Sequence, residues 1–211
     1  MAQRQHHYER AFESYLRTQR LPYVAVNEAK RALLPKDAQL TITQNNTTSS
    51  IKNFDFVVYA QDTDTATPIG TRPANLLVEI KGRRLPRLRL KDGSPAKARL
   101  ESWVTLDDVN ALTHWQELFG SDYIPVFVFV YWCDDVPPDG LFTEVFAYQS
   151  RWYTLRAITL SDYKAHMTTR SPKWRTVNLP RADFERLYRN FAPPIPDPPL
   201  IQAPHRCSVH A

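Results

Sequence analysis

Near the middle of the chain, eleven consecutive residues from Tyr123 to Cys133 (YIPVFVFVYWC) are almost entirely apolar or aromatic. A helix crossing a membrane needs about twenty such residues. The run is too short for that, and it predicts a buried strand. Two further strands are expected upstream. One is Phe54 to Ala60 (FDFVVYA) and the other is Asn75 to Gly82 (NLLVEIKG). Helices alternate with these strands, which implies a mixed α/β sheet flanked by helices.

The first helix is expected over about residues 5–19. Tyr8, Phe12, Tyr15 and Leu16 recur there at helical spacing and form one apolar stripe, with Glu9 at its edge. A short strand over Tyr23–Val26 leads to a short helix that Asn27 would cap and Pro35 would stop. The polar stretch TITQNNTTSSIKN reads as a loop or hairpin, and the segment from Gln61 to Ala74 as a loop. A longer helix is expected over TLDDVNALTHWQELFG, capped by Thr105 or Asp107 and closed by Gly120. Downstream, a hairpin around Gln149–Ser150 and two short helices complete a single domain over residues 1–191, with its core at about 5–132 and an elaboration at 133–191. A proline-rich tail occupies residues 192–211.

Composition narrows the setting. The N-terminus MAQRQHHYER is polar, so no signal peptide is expected. The 2 cysteines lie far apart, which fits a reducing cytoplasm rather than a disulfide framework. Net charge is +5. Its placement says more than its size. Lys81, Arg83, Arg84, Arg87, Arg89, Lys91, Lys97 and Arg99 crowd one segment that holds a single acid, Asp92. Such a segment is the electrostatic footprint of a polyanion partner.

That segment begins where the strand NLLVEIKG ends. Side chains alternate along a strand, so Asp55 shares a face with Val57 and Tyr59, and Glu79 with Leu77 and Lys81. If the two strands pair, two carboxylates and an ammonium converge. A divalent cation with a preference for hard oxygen ligands, Mg²⁺ or Mn²⁺, would relieve the carboxylate repulsion. Lys81, about 6 to 7 Å along the strand from Glu79, would orient a water there. Such a set suits phosphodiester hydrolysis. The string acid–any–Lys also occurs at Glu28–Lys30 and Asp162–Lys164. Only at Glu79 does it end an apolar strand with a second strand acid upstream. A static ion-pair cluster is the structural alternative, but buried charge is a poor source of stability.

A leading helix with a glutamate, then FDFVVY, LLVEIKGRR and a further helix together resemble the PD-(D/E)XK nuclease superfamily, and its Holliday-junction-resolvase-like branch in particular. The opening HYERAFE also resembles a group of bacterial proteins known by the HYExAFE motif. The resemblance covers roughly residues 5–132. It implies a restriction-endonuclease-like mixed sheet flanked by helices, with a C-terminal hairpin and short helices added. It implies that Asp55 and Glu79 ligate the metal with the Ile80 carbonyl, that Lys81 is the catalytic lysine, and that Glu9 binds metal directly or through water. DNA would be the partner, held along Arg83, Arg84, Arg87, Arg89, Lys91, Lys97 and Arg99. A homodimer stays open, and no membrane association is expected. Phe54 stands where a Pro or Gly often precedes the first acid, and the loop over 61–74 is longer than in compact resolvases.

Other candidates have plainer explanations. Gln116 and His114 read as residues on a helix surface, and Asp107–Asp108 as acids that favour a helix start. Asp62, Asp64, Asp134 and Asp135 read as turn residues. His205, Cys207 and His210 have zinc-like spacing but supply only three ligands. The tryptophans of RWY and KWR fit core packing or cation–π pairs better than base stacking. Two alternatives to a nuclease remain: a nucleic-acid-binding module of the same fold without catalysis, and an interaction domain whose tail recruits a partner.

Overall fold

The structure is a computed structural model that describes residues 6–33, 41–44, 47–60, 75–85, 100–133 and 144–191. It is a mixed α/β arrangement built on a six-stranded sheet. The expected Tyr123–Cys133 run is β7. It pairs in parallel with β5 (Asn75–Leu85) and antiparallel with β9 (Arg151–Thr159). The sheet continues outward through β4 (Phe56–Val58) and β1 (Tyr23–Ala25) on one side and β8 (Val145–Tyr148) on the other.

Each face of β7 meets a different layer. Val126, Val128 and Val130 face α1 (His6–Thr18), packing with Phe12, Tyr15 and Leu16. Phe127, Phe129 and Tyr131 face the opposite way. They pack among residues of α3 (Leu106–Phe119), α4 (Leu160–His166) and α5 (Arg181–Leu187). Small β-branched residues thus lie under one helix, and aromatic rings fill the space under three. The stripe expected on the first helix is the face that buries. Phe191 closes the same core against Phe12, with ring centroids 5.0 Å apart.

Several expectations change in detail. The second helix, α2 (Val26–Leu33), starts one residue before Asn27, so Asn27 lies inside its first turn and does not cap it. β4 is shorter than the apolar run that encodes it, and Asp55 sits just outside it. The polar stretch after residue 40 forms a hairpin, β2 (Thr41–Gln44) with β3 (Thr47–Ser50). Thr105 rather than Asp107 caps α3, in a reciprocal capping box with Asp108. The hairpin turn at Gln149–Ser150 is as expected. Both residues have positive φ, as a tight turn matching strand twist requires.

Two differences matter for function. β5 does not stop at Gly82 but runs on through Arg83 and Arg84 to Leu85, paired with β7 along its whole length. A three-stranded sheet is also present, in the order β10 (Thr168–Ser171), β11 (Thr176–Asn178) and β6 (Val104–Thr105). Its strands are short and mostly polar, so no alternating pattern announces them. Among the described residues, no helix is long and apolar enough to cross a membrane.

Gly82 fixes how closely α1 lies on β5. A Cβ there would fall 2.2 Å from Tyr8 Cδ2. Gly82→Ala is therefore expected to lower stability by about 1–3 kcal/mol. Tyr8→Ala in the same background should recover part of that loss in denaturant titrations. If the two losses simply add, α1 and β5 do not meet at this point.

Candidate functional site

The site forms where β4, β5 and the start of α3 meet. Antiparallel register sets Phe56 opposite Val78, so the next step outward brings Asp55 beside Glu79. The Asp55 amide donates to the Val78 carbonyl at 2.9 Å. Two residues on, the Ile80 amide donates to Asp55 Oδ2 at 2.7 Å. Backbone groups of alternate strand residues point to the same side. The Ile80 carbonyl therefore faces the gap beside Asp55, where the pairing with β4 has ended.

Glu79 is only 5% exposed. Its Oε1 accepts from Lys81 Nζ at 2.8 Å and from Lys52 Nζ at 2.7 Å. Asp108 closes this into a ring. Its Oδ2 meets Lys81 Nζ at 2.7 Å and accepts the Thr105 amide at 3.0 Å, while Oδ1 accepts from Lys52. Two ammoniums and two carboxylates thus balance. Burial works against the charged form of Asp108, but the Lys81 and Lys52 ammoniums outweigh it and hold the carboxyl well below the usual range. Burial also opposes the charge on Lys52, yet Glu79 and Asp108 raise its pKa. Trp115 steadies the segment by donating to the Lys52 carbonyl at 2.9 Å.

Asp55 stands outside this ring. Burial disfavours its ionised form, and the charge of Glu79 adds repulsion. The Ile80 amide opposes both, and Glu9 in the first turn of α1 adds further repulsion. The carboxyl is pushed well above its ordinary value. Asp55 therefore senses the charges of both Glu79 and Glu9. Among the described residues, however, no three His, Cys, Asp or Glu side chains gather as a metal-holding group.

The basic segment divides. Arg83 lies within β5 and its guanidinium turns inward. It donates to the Gly82 carbonyl at 2.8 Å and the Trp103 carbonyl at 2.5 Å, and it lies 4.0 Å from the Trp103 ring centroid. Arg83 thus ties β5 to the stretch before β6. Arg84 is exposed, 5.2 Å from the Trp132 ring centroid. Arg87, Arg89, Lys91, Lys97 and Arg99 lie outside the described residues. So do Asp62, Asp64, Asp134, Asp135 and the His205, Cys207 and His210 trio. Gln116 is exposed, and His114 faces Glu117 at 3.3 Å.

Sequence reasoning passed over Lys52 and found one of two roles of Asp108, its place at the helix start. The capping box fully accounts for Asp108 at the local level, which hides its second role. Lys52 sits in a polar stretch where nothing in the spacing distinguishes it. No family model, no curated protein and no solved structure matches the chain.

Asp108 supplies a test with a defined sign. Its folded pKa is depressed from 3.8, so it contributes stability above that pH and loses the contribution as pH falls through the folded value. Asp108→Asn is expected to cost about 3 kcal/mol at pH 7, reduced where the half-exposed Lys52 is screened by solvent. The gap between wild type and variant should narrow once pH drops below 3.8. A gap that is constant from pH 7 to pH 2 would mean that Asp108 is not held by its lysines.

Proposed function

We propose that this chain is a metal-dependent phosphodiesterase acting on nucleic acid, with the restriction-endonuclease-like arrangement that its strands and leading helix resemble. One observation carries this. Asp55, just before β4, falls opposite Glu79 in the middle of β5, and Asp55 is held well above its ordinary pKa by burial and by its carboxylate neighbours. A buried acid left outside a balanced ring is a costly arrangement unless a cation completes it.

The donor set fits Mg²⁺ or Mn²⁺. Mg²⁺ is usually bound through one or two carboxylates while keeping several waters, so a cage of three side chains is not required. Asp55, Glu79 and the Ile80 carbonyl would hold the ion, and Glu9 would bind it directly or through a water. When bound, such an ion lowers the pKa of a coordinated water and offsets charge on a phosphate. The chain's own residues supply the rest. The Ile80 amide fixes the Asp55 carboxyl, and Asp108 holds Lys81 so that its ammonium stays beside Glu79. Lys81 is thereby positioned to orient a water or a phosphate oxygen.

A second possibility is favoured by a different observation. Glu79 Oε1 already takes both lysines, which is how a static cluster would look. On that basis the chain would bind nucleic acid without cleaving it.

Cleavage of plasmid and branched DNA with Mg²⁺ or Mn²⁺ separates the two. Asp55→Asn, Glu79→Gln and Lys81→Met should each lower the rate by on the order of 100-fold or more. Rates equal to wild type in all three would sink the hydrolytic assignment. Metal binding gives an independent readout through thermal stability. An acid with a raised folded pKa costs stability as pH rises through that value. Asp55→Asn should therefore melt above wild type at pH 8 without metal. Mn²⁺ should raise the melting temperature of wild type and not of the variant. A gain of equal size in both would place the ion elsewhere.

A further inference from the structure

The ribbon formed by β10 and β11 combines features that the fold itself does not require. Between them the chain turns through Pro172, Lys173, Trp174 and Arg175. The Arg175 amide closes this turn onto the Pro172 carbonyl at 3.2 Å. Trp174 is 71% exposed at the tip, so its indole adds little to any core. Arg175 has φ +47°, the left-handed region, which non-glycine residues enter at a cost. Thr169 pairs with Val177 and Ser171 with Thr176, so Arg170 is an extra residue in a β-bulge. Bulges re-aim side chains. This one accompanies an Arg170 guanidinium 5.0 Å from the Trp103 ring centroid, a ring that Arg83 also contacts at 4.0 Å.

Charge points the same way. From Tyr163 to Ala182 the sequence holds Lys164, Arg170, Lys173, Arg175 and Arg181 and no acid. Whole-chain bookkeeping hides this stretch, because acids elsewhere cancel it. Lys173 Nζ lies 5.6 Å from the Trp174 ring centroid. Among the described residues, the carboxylate paired with the tip is Asp107, in contact with Arg175 at 3.2 Å. Both partners are more than half exposed, so the pair adds little and is easily exchanged.

The ribbon is also placed beside the candidate site. The Arg175 carbonyl accepts the Leu106 amide at 2.8 Å, at the first residue of α3. Asp108, which holds Lys81, is two residues further along the same helical turn. The base of the ribbon is thus joined to the helix start that carries Asp108.

We propose that the β10–β11 ribbon is a nucleic-acid-contacting arm in which Trp174 stacks on an unpaired base while Lys173 and Arg175 take the flanking phosphates. This deepens the phosphodiesterase assignment and rests on it for the identity of the substrate. An exposed indole with adjacent cations suits single strands, because each base offers a π-face and the backbone supplies the charge. Paired bases in a duplex do not present that face. The favoured substrate is therefore single-stranded or carries unpaired bases at a junction.

The test measures anisotropy of a labelled 20-nucleotide single strand and of its blunt duplex, without divalent cation. Trp174→Ala should raise the single-strand Kd by about 5- to 100-fold, and the duplex Kd should change less than about twofold. Trp174→Phe should restore most of the single-strand affinity. Lys173→Ala with Arg175→Ala should reduce the salt slope by about 1.4, near 0.7 per lost phosphate contact. Since Trp174 is mostly exposed, its removal should leave the fold intact, which thermal melting checks.

Single-strand affinity unchanged by Trp174→Ala overturns the arm, as does an equal loss on single strand and duplex. A wild-type dimer that dissociates in Trp174→Ala while strand binding is unchanged does so too, and marks a self-association surface instead. The two assignments fail separately. A wild type that binds strands through Trp174 but never cleaves any substrate removes the phosphodiesterase and keeps the arm. A wild type that cleaves, with Trp174→Ala binding strands equally well, removes the arm and keeps the phosphodiesterase.

Discussion

Pairing β5 in parallel with β7 sets the main constraint. Parallel neighbours need a crossover connection, and here it runs through β6 and α3. α3 covers the face of β5 on which Leu77 packs, and Glu79 shares that face. A carboxylate is thereby enclosed between sheet and helix. Isolated burial of that charge would cost several kcal/mol. Lys81 from the same strand, Lys52 from the segment before β4 and Asp108 from α3 answer it together. The start of α3 is thus tied to the sheet twice, by packing of Val109 and Leu112 and by charge through Asp108.

A buried ion ring is a poor source of stability in general. Well-packed apolar residues of similar volume often do as well or better than a buried ion cluster. Packing alone therefore does not account for four charges at this point. Their effect is positional. Lys81 is held from two sides by carboxylates, so its ammonium has a defined place beside Glu79. The same logic holds for Arg83, whose guanidinium bridges two backbone carbonyls and joins β5 to the stretch leading into the three-stranded sheet.

What the sequence shows and what it hides divide along the range of the interactions involved. Strand alternation is local, and it places Val57 and Leu77 on the α3 side and Phe56, Val78 and Ile80 on the α1 side, where the structure has them. The helical stripe of α1 and the Thr105 cap are likewise local. Lys52 is not legible, because its role depends on a helix start 56 residues away. Asp108 misleads, because a complete local explanation conceals a distant one. The three-stranded sheet escapes notice since Thr168, Thr169 and Thr176 carry no hydrophobic alternation. Arg83 looks like the first residue of a basic loop, yet continued pairing with β7 makes it part of a strand.

Charge balance then separates two tasks within one small region. Lys52, Lys81, Glu79 and Asp108 sum to zero, so the ring neither attracts nor repels a phosphate at a distance. Asp55 repels one once it is ionised, a form that burial, Glu79 and Glu9 all disfavour. Screening in physiological salt acts over about 8 Å, so distant basic residues cannot offset that repulsion. Any polyanion that approaches Asp55 must therefore be held by cations nearby or meet a cation bound there. If nucleic acid is the partner, an ionised Asp55 on its own opposes binding. Affinity then has to come from the rim of the site and chemistry from its centre, and the two are open to separate alteration.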